Sequence, residues 1–112
     1  MLVAMEHVDV REAARAAQAG EVLLLDVRED AEWAAGRAPG AVHAPMSELR
    51  QDTVPRDRPV LALCRVGARS AAVAEALERL GYDAANVTGG MLAWSAAGLP
   101  VVRDGDLPGA VV

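Results

Sequence analysis

Two short apolar runs constrain this chain more than any other feature. Val22-Leu23-Leu24-Leu25-Asp26-Val27 and Pro59-Val60-Leu61-Ala62-Leu63 are apolar at nearly every position, without alternation. That is the pattern of strands buried on both faces. Such strands need helices above and below them, and the sequence supplies candidates. Apolar positions 10, 13, 14 and 17 share one helical face behind the capping sequence Asp9-Val10-Arg11-Glu12, and positions 73, 76, 77 and 80 share another. Gly20 and Gly81 suit the ends of those helices. Ala41 to Ala44 and Asp83 to Val87 read as further strands. Short helices are expected between Arg28 and Gly36, over Ser47 to Gln51 and over Met91 to Ala97, with Asp52 to Pro59 as a surface connection. Strands alternating with helices predict an α/β domain with a largely parallel sheet, spanning residues 1–103 and followed by a tail from Asp104 to Val112.

Charge narrows the function classes. A formal net charge of −5 disfavours nucleic acid or an anionic membrane as partner. Gly89 to Val102 is uncharged, but its two leading glycines and Pro100 break it far short of a bilayer span. The first residues, MLVAMEHV, carry Glu6 and no basic segment, so no signal peptide is expected. All 11 basic residues are arginine, which removes lysine chemistry. One cysteine and two histidines, widely spaced, make no zinc-ligand pattern. A lone thiol fits a reducing compartment, so a cytoplasmic location is expected.

That one cysteine, Cys64, stands where the second apolar run stops and a helical pattern begins. Between them lies Arg65-Val66-Gly67-Ala68-Arg69. In open α/β sheets ligands bind beyond the carboxyl ends of the strands, against helix N-termini. A glycine-bearing loop there can turn several N–H groups inward around an anion. In such surroundings a thiol pKa falls from about 8.5 to roughly 3.5–7.5, and the thiolate is the nucleophile. A free cysteine is commonly no more than a small buried hydrophobe; the position and the two flanking arginines favour a reactive thiol. Arg65 is expected to face solvent and attract an anionic substrate, and Arg69 to do the same or to anchor the loop to Asp26 or Glu32. Ser70 is a candidate cap or loop hydrogen-bond donor. Trp33 and Trp94 read as packing residues, Met1, Met5, Met46 and Met91 as gap fillers, and His7 as exposed ahead of the first helix.

Four segments together resemble the rhodanese family of single-domain sulfurtransferases: LLLDVRE (23–29), EWAAGRAPGAVHAP (32–45), CRVGARS (64–70) and GGMLAWSAAGLPV (89–101). The resemblance runs from about Val8 to Val102. It implies a central, mainly parallel five-stranded sheet flanked by helices on both faces, with Cys64 as the sulfur-carrying residue. The implied chemistry is attack of the Cys64 thiolate on the sulfane sulfur of thiosulfate or a persulfide donor, then transfer from a Cys64 persulfide to cyanide or a thiol. Backbone N–H groups of Arg65, Val66, Gly67, Ala68, Arg69 and Ser70 would stabilise the persulfide, and Asp26 and Arg28 would support the loop. No metal or organic cofactor is required. Arg37-Ala38 departs from the family's histidine and β-branched residue, and a local change without loss of chemistry is expected.

Two rival readings remain. A sulfur-relay or binding module would use a protein thiol as acceptor. A cysteine phosphatase or arsenate reductase would place five residues between cysteine and arginine, whereas Cys64 and Arg69 enclose only four. Neither histidine is required as a base once the thiol is ionised.

Overall fold

The computed structural model describes residues 7–50 and 53–112. The readings made for Met1, Met5, Glu6, Gln51 and Asp52 therefore lie outside the described residues. In chain order the elements are β1 (His7–Val8), α1 (Val10–Gln18), β2 (Leu23–Asp26), α2 (Asp30–Ala35), β3 (Val42–His43), β4 (Val60–Leu63), α3 (Ala68–Arg79), β5 (Ala84–Val87), α4 (Gly90–Ala96), β6 (Val102–Arg103) and β7 (Leu107–Pro108). The first five strands form one sheet in the order β1-β5-β4-β2-β3, and every pairing is parallel. This is the α/β architecture expected, with a parallel five-stranded sheet. A single 3-10 turn over Met46–Glu48 stands where a helix from Ser47 was expected.

The two apolar runs are central strands because each side chain alternates between two covered faces. Leu23, Leu25, Val27, Val60, Ala62 and Cys64 point to the α3 side, where Val73, Ala74 and Leu77 meet them. Leu24, Leu61 and Leu63 point to the other side, against Val10 and Ala13 of α1 and Met91 and Trp94 of α4. The buried face of α3 runs through Ser70, Val73, Ala74 and Leu77, so Leu80 is left exposed, one turn off its expected place. At the start of α1, the Asp9 side chain accepts the Glu12 N–H at 2.9 Å. The fifth strand, β1, was not visible as a strand in the sequence; it is two residues long and pairs His7 with Asn86.

The segment from Asp104 onward does not trail from the domain. β7 folds back antiparallel on β6. The Gly109 N–H donates to the Val101 carbonyl, the Ala110 N–H donates to the Ala35 carbonyl, and Val111 packs on the α1/α4 core. Two glycines permit this approach: a Cβ on Gly36 would stand 2.4 Å from the Ala110 oxygen, and one on Gly109 would stand 2.8 Å from the Gly36 Cα. The domain boundary expected at residue 103 therefore falls inside a hairpin. Arg37, the family departure, is part of this joint. Its backbone exchanges hydrogen bonds with Val102, and its guanidinium pairs with Asp104 and lies over the Trp33 ring at 4.7 Å.

Candidate active site

Cys64 leaves the carboxyl end of β4 with its side chain on the α3 face, and the chain then turns through Arg65 to Gly67 into α3. Gly67 takes φ 106°, a left-handed conformation open to glycine at little cost. The loop's orientation is set from outside by α4. The Met91 N–H donates to the Cys64 carbonyl at 2.8 Å and the Leu92 N–H donates to the Arg65 carbonyl at 3.0 Å. In a trans peptide the N–H points opposite to the carbonyl. Holding those two carbonyls against α4 therefore turns the N–H groups of Arg65 and Val66 the other way. Gly90 makes the approach possible, since a Cβ there would sit 2.4 Å from the Cys64 oxygen.

The inward groups converge on sulfur. The Gly67 N–H lies 3.1 Å from Cys64 Sγ and Ser70 Oγ lies 3.2 Å from it. Burial pushes the thiol up, but hydrogen bonding from the Ser70 hydroxyl and the N–H groups of Ser70, Gly67 and Val66 outweighs it, leaving the pKa below its ordinary 9.0. Cys64 and Ser70 are fully buried, while Arg65, Val66 and Ala68 form the exposed surface of the loop.

Of the two partners expected for Arg69, the structure selects Glu32. Arg69 Nη1 donates to Oε1 at 2.7 Å and Nη2 to Oε2 at 2.8 Å. Glu32 Oε1 also accepts the Glu29 N–H at 3.0 Å, so one carboxylate caps α2 and holds the loop. The Arg69 guanidinium holds Glu32 well below its usual 4.5, at about 2. Asp26 is committed elsewhere, to a fully buried ion pair with Arg28, whose Nη2 lies 2.7 Å from Asp26 Oδ2. Arg28 also donates to the Glu32 and Gly36 carbonyls, at 3.3 and 2.7 Å. The Asp-Val-Arg motif thus reaches the loop indirectly, by fixing the segment that carries Glu32. Removing one partner of such a buried pair generally costs about 3–5 kcal/mol.

The Glu32–Arg69 anchor predicts a stability effect with a defined direction. A carboxylate whose pKa is depressed on folding contributes fully above its unfolded value, 4.5, and loses that contribution as pH falls toward about 2. At neutral pH Glu32→Gln should cost about 1–3 kcal/mol, as for a charge-assisted hydrogen bond. In thermal melts across pH 7 to 2, the parent and variant curves are expected to converge at the acid end. Curves a constant distance apart down to pH 2 would show that the charge on Glu32 contributes nothing.

Arg65 faces solvent as expected, and its Nε donates to the Val112 main-chain oxygen at 3.0 Å. His43 stacks on Trp33, with ring centroids 4.6 Å apart, and its Nε2 lies 2.8 Å from the Arg28 oxygen. Trp94 is buried and donates to the Pro100 carbonyl. A concavity of about 480 Å³ lies near the opposite ends of the strands beside Val22, Leu23 and Arg58. It holds none of the loop residues. Among the described residues no cluster of three or more His, Cys, Asp or Glu side chains could hold a metal, and no helix is long and apolar enough to cross a membrane.

Residues 9–97 match the rhodanese-like domain family. The chain belongs to that family. A sulfurtransferase of Allochromatium vinosum is 42% identical over 91 residues, covering 79% of this chain and 85% of its own. The thiosulfate sulfurtransferase GlpE of Actinobacillus succinogenes is 38% identical over 87 residues, 75% of this chain and 78% of the relative. Among solved structures, a rhodanese-related protein of Thermoplasma volcanium superposes with a TM-score of 0.82 at 31% identity, covering 88% of this chain and 99% of that one.

In this rhodanese-like domain the loop from Cys64 to Ser70 brings the Gly67 N–H and the Ser70 hydroxyl to the sulfur, while Arg65, Val66 and Ala68 are exposed. Asn86 was not singled out from the sequence. It is buried on β5 and its Oδ1 lies 2.6 Å from Ser70 Oγ. The available signal was a lone amide inside the otherwise apolar strand Ala84-Ala85-Asn86-Val87.

Proposed function

We propose that the protein is a sulfurtransferase that carries sulfane sulfur as a persulfide on Cys64. The observation that supports this most is the convergence of the Gly67 N–H and the Ser70 hydroxyl on Sγ, with the neighbouring carbonyls turned away. In the first step the Cys64 thiolate attacks the sulfane sulfur of thiosulfate, forming an S–S bond as sulfite leaves with the electron pair of the broken bond. Cyanide or a thiolate then takes that sulfur and returns Cys64 as thiolate, so no net oxidant is consumed. Loop N–H groups stabilise the anionic terminal sulfur as an oxyanion hole stabilises oxygen. Because Cys64 is buried, the exposed residues Arg65, Val66 and Ala68 must yield as the donor enters and the second sulfur is accommodated. No metal or organic cofactor takes part, and nucleic acid and membranes are not partners. A cytoplasmic setting suits the free thiol.

A phosphatase reading fares worse on the same geometry. Both terminal nitrogens of Arg69 are held by Glu32 and are not presented to an oxyanion. A protein thiol as physiological acceptor is favoured by one feature: Val66, Leu92 and Val112, all exposed, lie on or beside the Arg65 segment and give the positive loop an apolar rim.

Arg65 is assigned the capture of the donor dianion. Arg65→Ala should raise the KM for thiosulfate several-fold at low ionic strength while leaving kcat within about twofold, and added salt should erase the difference. An unchanged KM at low ionic strength would overturn the role. Thiocyanate formation from thiosulfate and cyanide tests the reaction itself. A parent protein that forms none, with thiosulfate or with a persulfide donor, would leave the binding-module reading in its place.

A further inference from the structure

We propose that Asn86 is a positioning residue: its side-chain amide, held between Ser70 and His7, decides whether the Ser70 hydroxyl points at Cys64 or away from it. Ser70 has one hydroxyl proton and two neighbours that could take it, Asn86 Oδ1 at 2.6 Å and Cys64 Sγ at 3.2 Å. Given to Asn86, the proton leaves Ser70 facing the sulfur with lone pairs. Ser70 can then accept from an S–H group but cannot stabilise a thiolate or a persulfide anion. To donate to the anion, Ser70 must withdraw its proton from Asn86. Two oxygens would then stand 2.6 Å apart with no proton between them.

Rotation of the amide removes that conflict. It presents Nδ2 to Ser70 and Oδ1 to the group on the other side. That group is His7, directly opposite Asn86 in the β1–β5 pairing, with Nδ1 3.4 Å from Asn86 Nδ2. As placed, His7 Nδ1 accepts from the amide, the arrangement suited to the thiol, and the lowering of the Cys64 titration by the Ser70 hydroxyl belongs to the opposite arrangement. With a proton on Nδ1 it donates instead, the arrangement suited to the anion. His7 is exposed and borders a cavity of about 290 Å³ shared with Glu75 and Glu78, so its ring can exchange protons with water. Asn86 also lies against the loop, 3.6 Å from where a Cβ on Gly67 would sit. The four side chains thus form a line, Cys64–Ser70–Asn86–His7, whose donors and acceptors can all run in either direction.

The inference deepens the persulfide reading, but its test reads the thiol alone, so it stands or falls whatever the donor proves to be. Cys64 is the only cysteine in the chain, and thiolate absorbance near 240 nm reports on it directly. Asn86→Asp keeps the shape but can only accept, so it holds the Ser70 proton permanently. The Cys64 titration should move up by one unit or more, a tenfold loss of thiolate. Asn86→Ala removes the acceptor and frees the hydroxyl, so the titration should move down. In a Ser70→Ala background both shifts should shrink at least threefold. Shifts of the same sign in the two Asn86 variants would overturn the proposal, because a merely structural residue gives that result. So would an Asn86→Asp shift undiminished by Ser70→Ala, the signature of added charge alone. If Asn86→Asp does not fold, the sign of the Asn86→Ala shift and its loss in Ser70→Ala decide the matter alone.

Discussion

Cys64→Ser is expected to lower thiosulfate-to-cyanide turnover by about 10⁴-fold or more, to the level of the uncatalysed reaction, as loss of a covalent nucleophile does. The cradle that lowers a thiol from 9.0 cannot ionise a serine hydroxyl. No second thiol exists in the chain to substitute for it. The fold should survive, because the serine oxygen can still accept from the Gly67 N–H and the change in volume is small. Thiocyanate formation, measured beside a thermal melt, separates lost chemistry from lost structure. Turnover within tenfold of the parent would show that sulfur does not pass through Cys64.

Gly90→Ala carries the largest expected effect on structure and activity together. Gly90 has φ 59°, and an added Cβ would meet the Cys64 oxygen at 2.4 Å and the Arg65 carbonyl carbon at 2.6 Å. The left-handed conformation costs about 1–2 kcal/mol for alanine. Moving the packed backbone adds about 1–3 kcal/mol. A total of about 2–5 kcal/mol corresponds to a fall in Tm on the order of 10–25 °C. Activity should fall further than stability, because the displaced carbonyls share their peptide units with the N–H groups of Arg65 and Val66 in the loop. Gly98→Ala is the control: its φ is 76°, but nothing lies within 4 Å of an added Cβ, so it should cost only the conformational part, about 1–2 kcal/mol. Equal losses in the two variants would mean that α4 does not hold the loop.

The sheet was legible where burial is two-sided. Leu23 to Asp26 and Val60 to Leu63 announce themselves because nothing polar interrupts them until the site is reached. β1 left no such mark: two residues, one of them exposed, carry no period. The buried stripe of α3 includes the expected Val73 and Leu77 but begins a turn earlier and omits Leu80, because Ser70, a polar residue, occupies an inward position that apolar counting ignores. The same blindness hid Asn86. The segment 104–112 read as a tail because its attachments are backbone hydrogen bonds and glycine–glycine approaches, which hydropathy does not register. Cys64 and its loop were legible because sulfur, glycine and arginine together have few other uses at a strand end. The choice between Asp26 and Glu32 for Arg69 was not, since it depends on the buried Arg28 having already claimed Asp26.

The central claim is a persulfide on Cys64, and the intact mass of the protein tests it most directly. After incubation with thiosulfate the chain should gain the mass of one sulfur atom, lose it on addition of cyanide, and show neither change in Cys64→Ser. A parent protein that gains no sulfur from thiosulfate or from a persulfide donor, or a Cys64→Ser variant that gains it equally, would contradict the account.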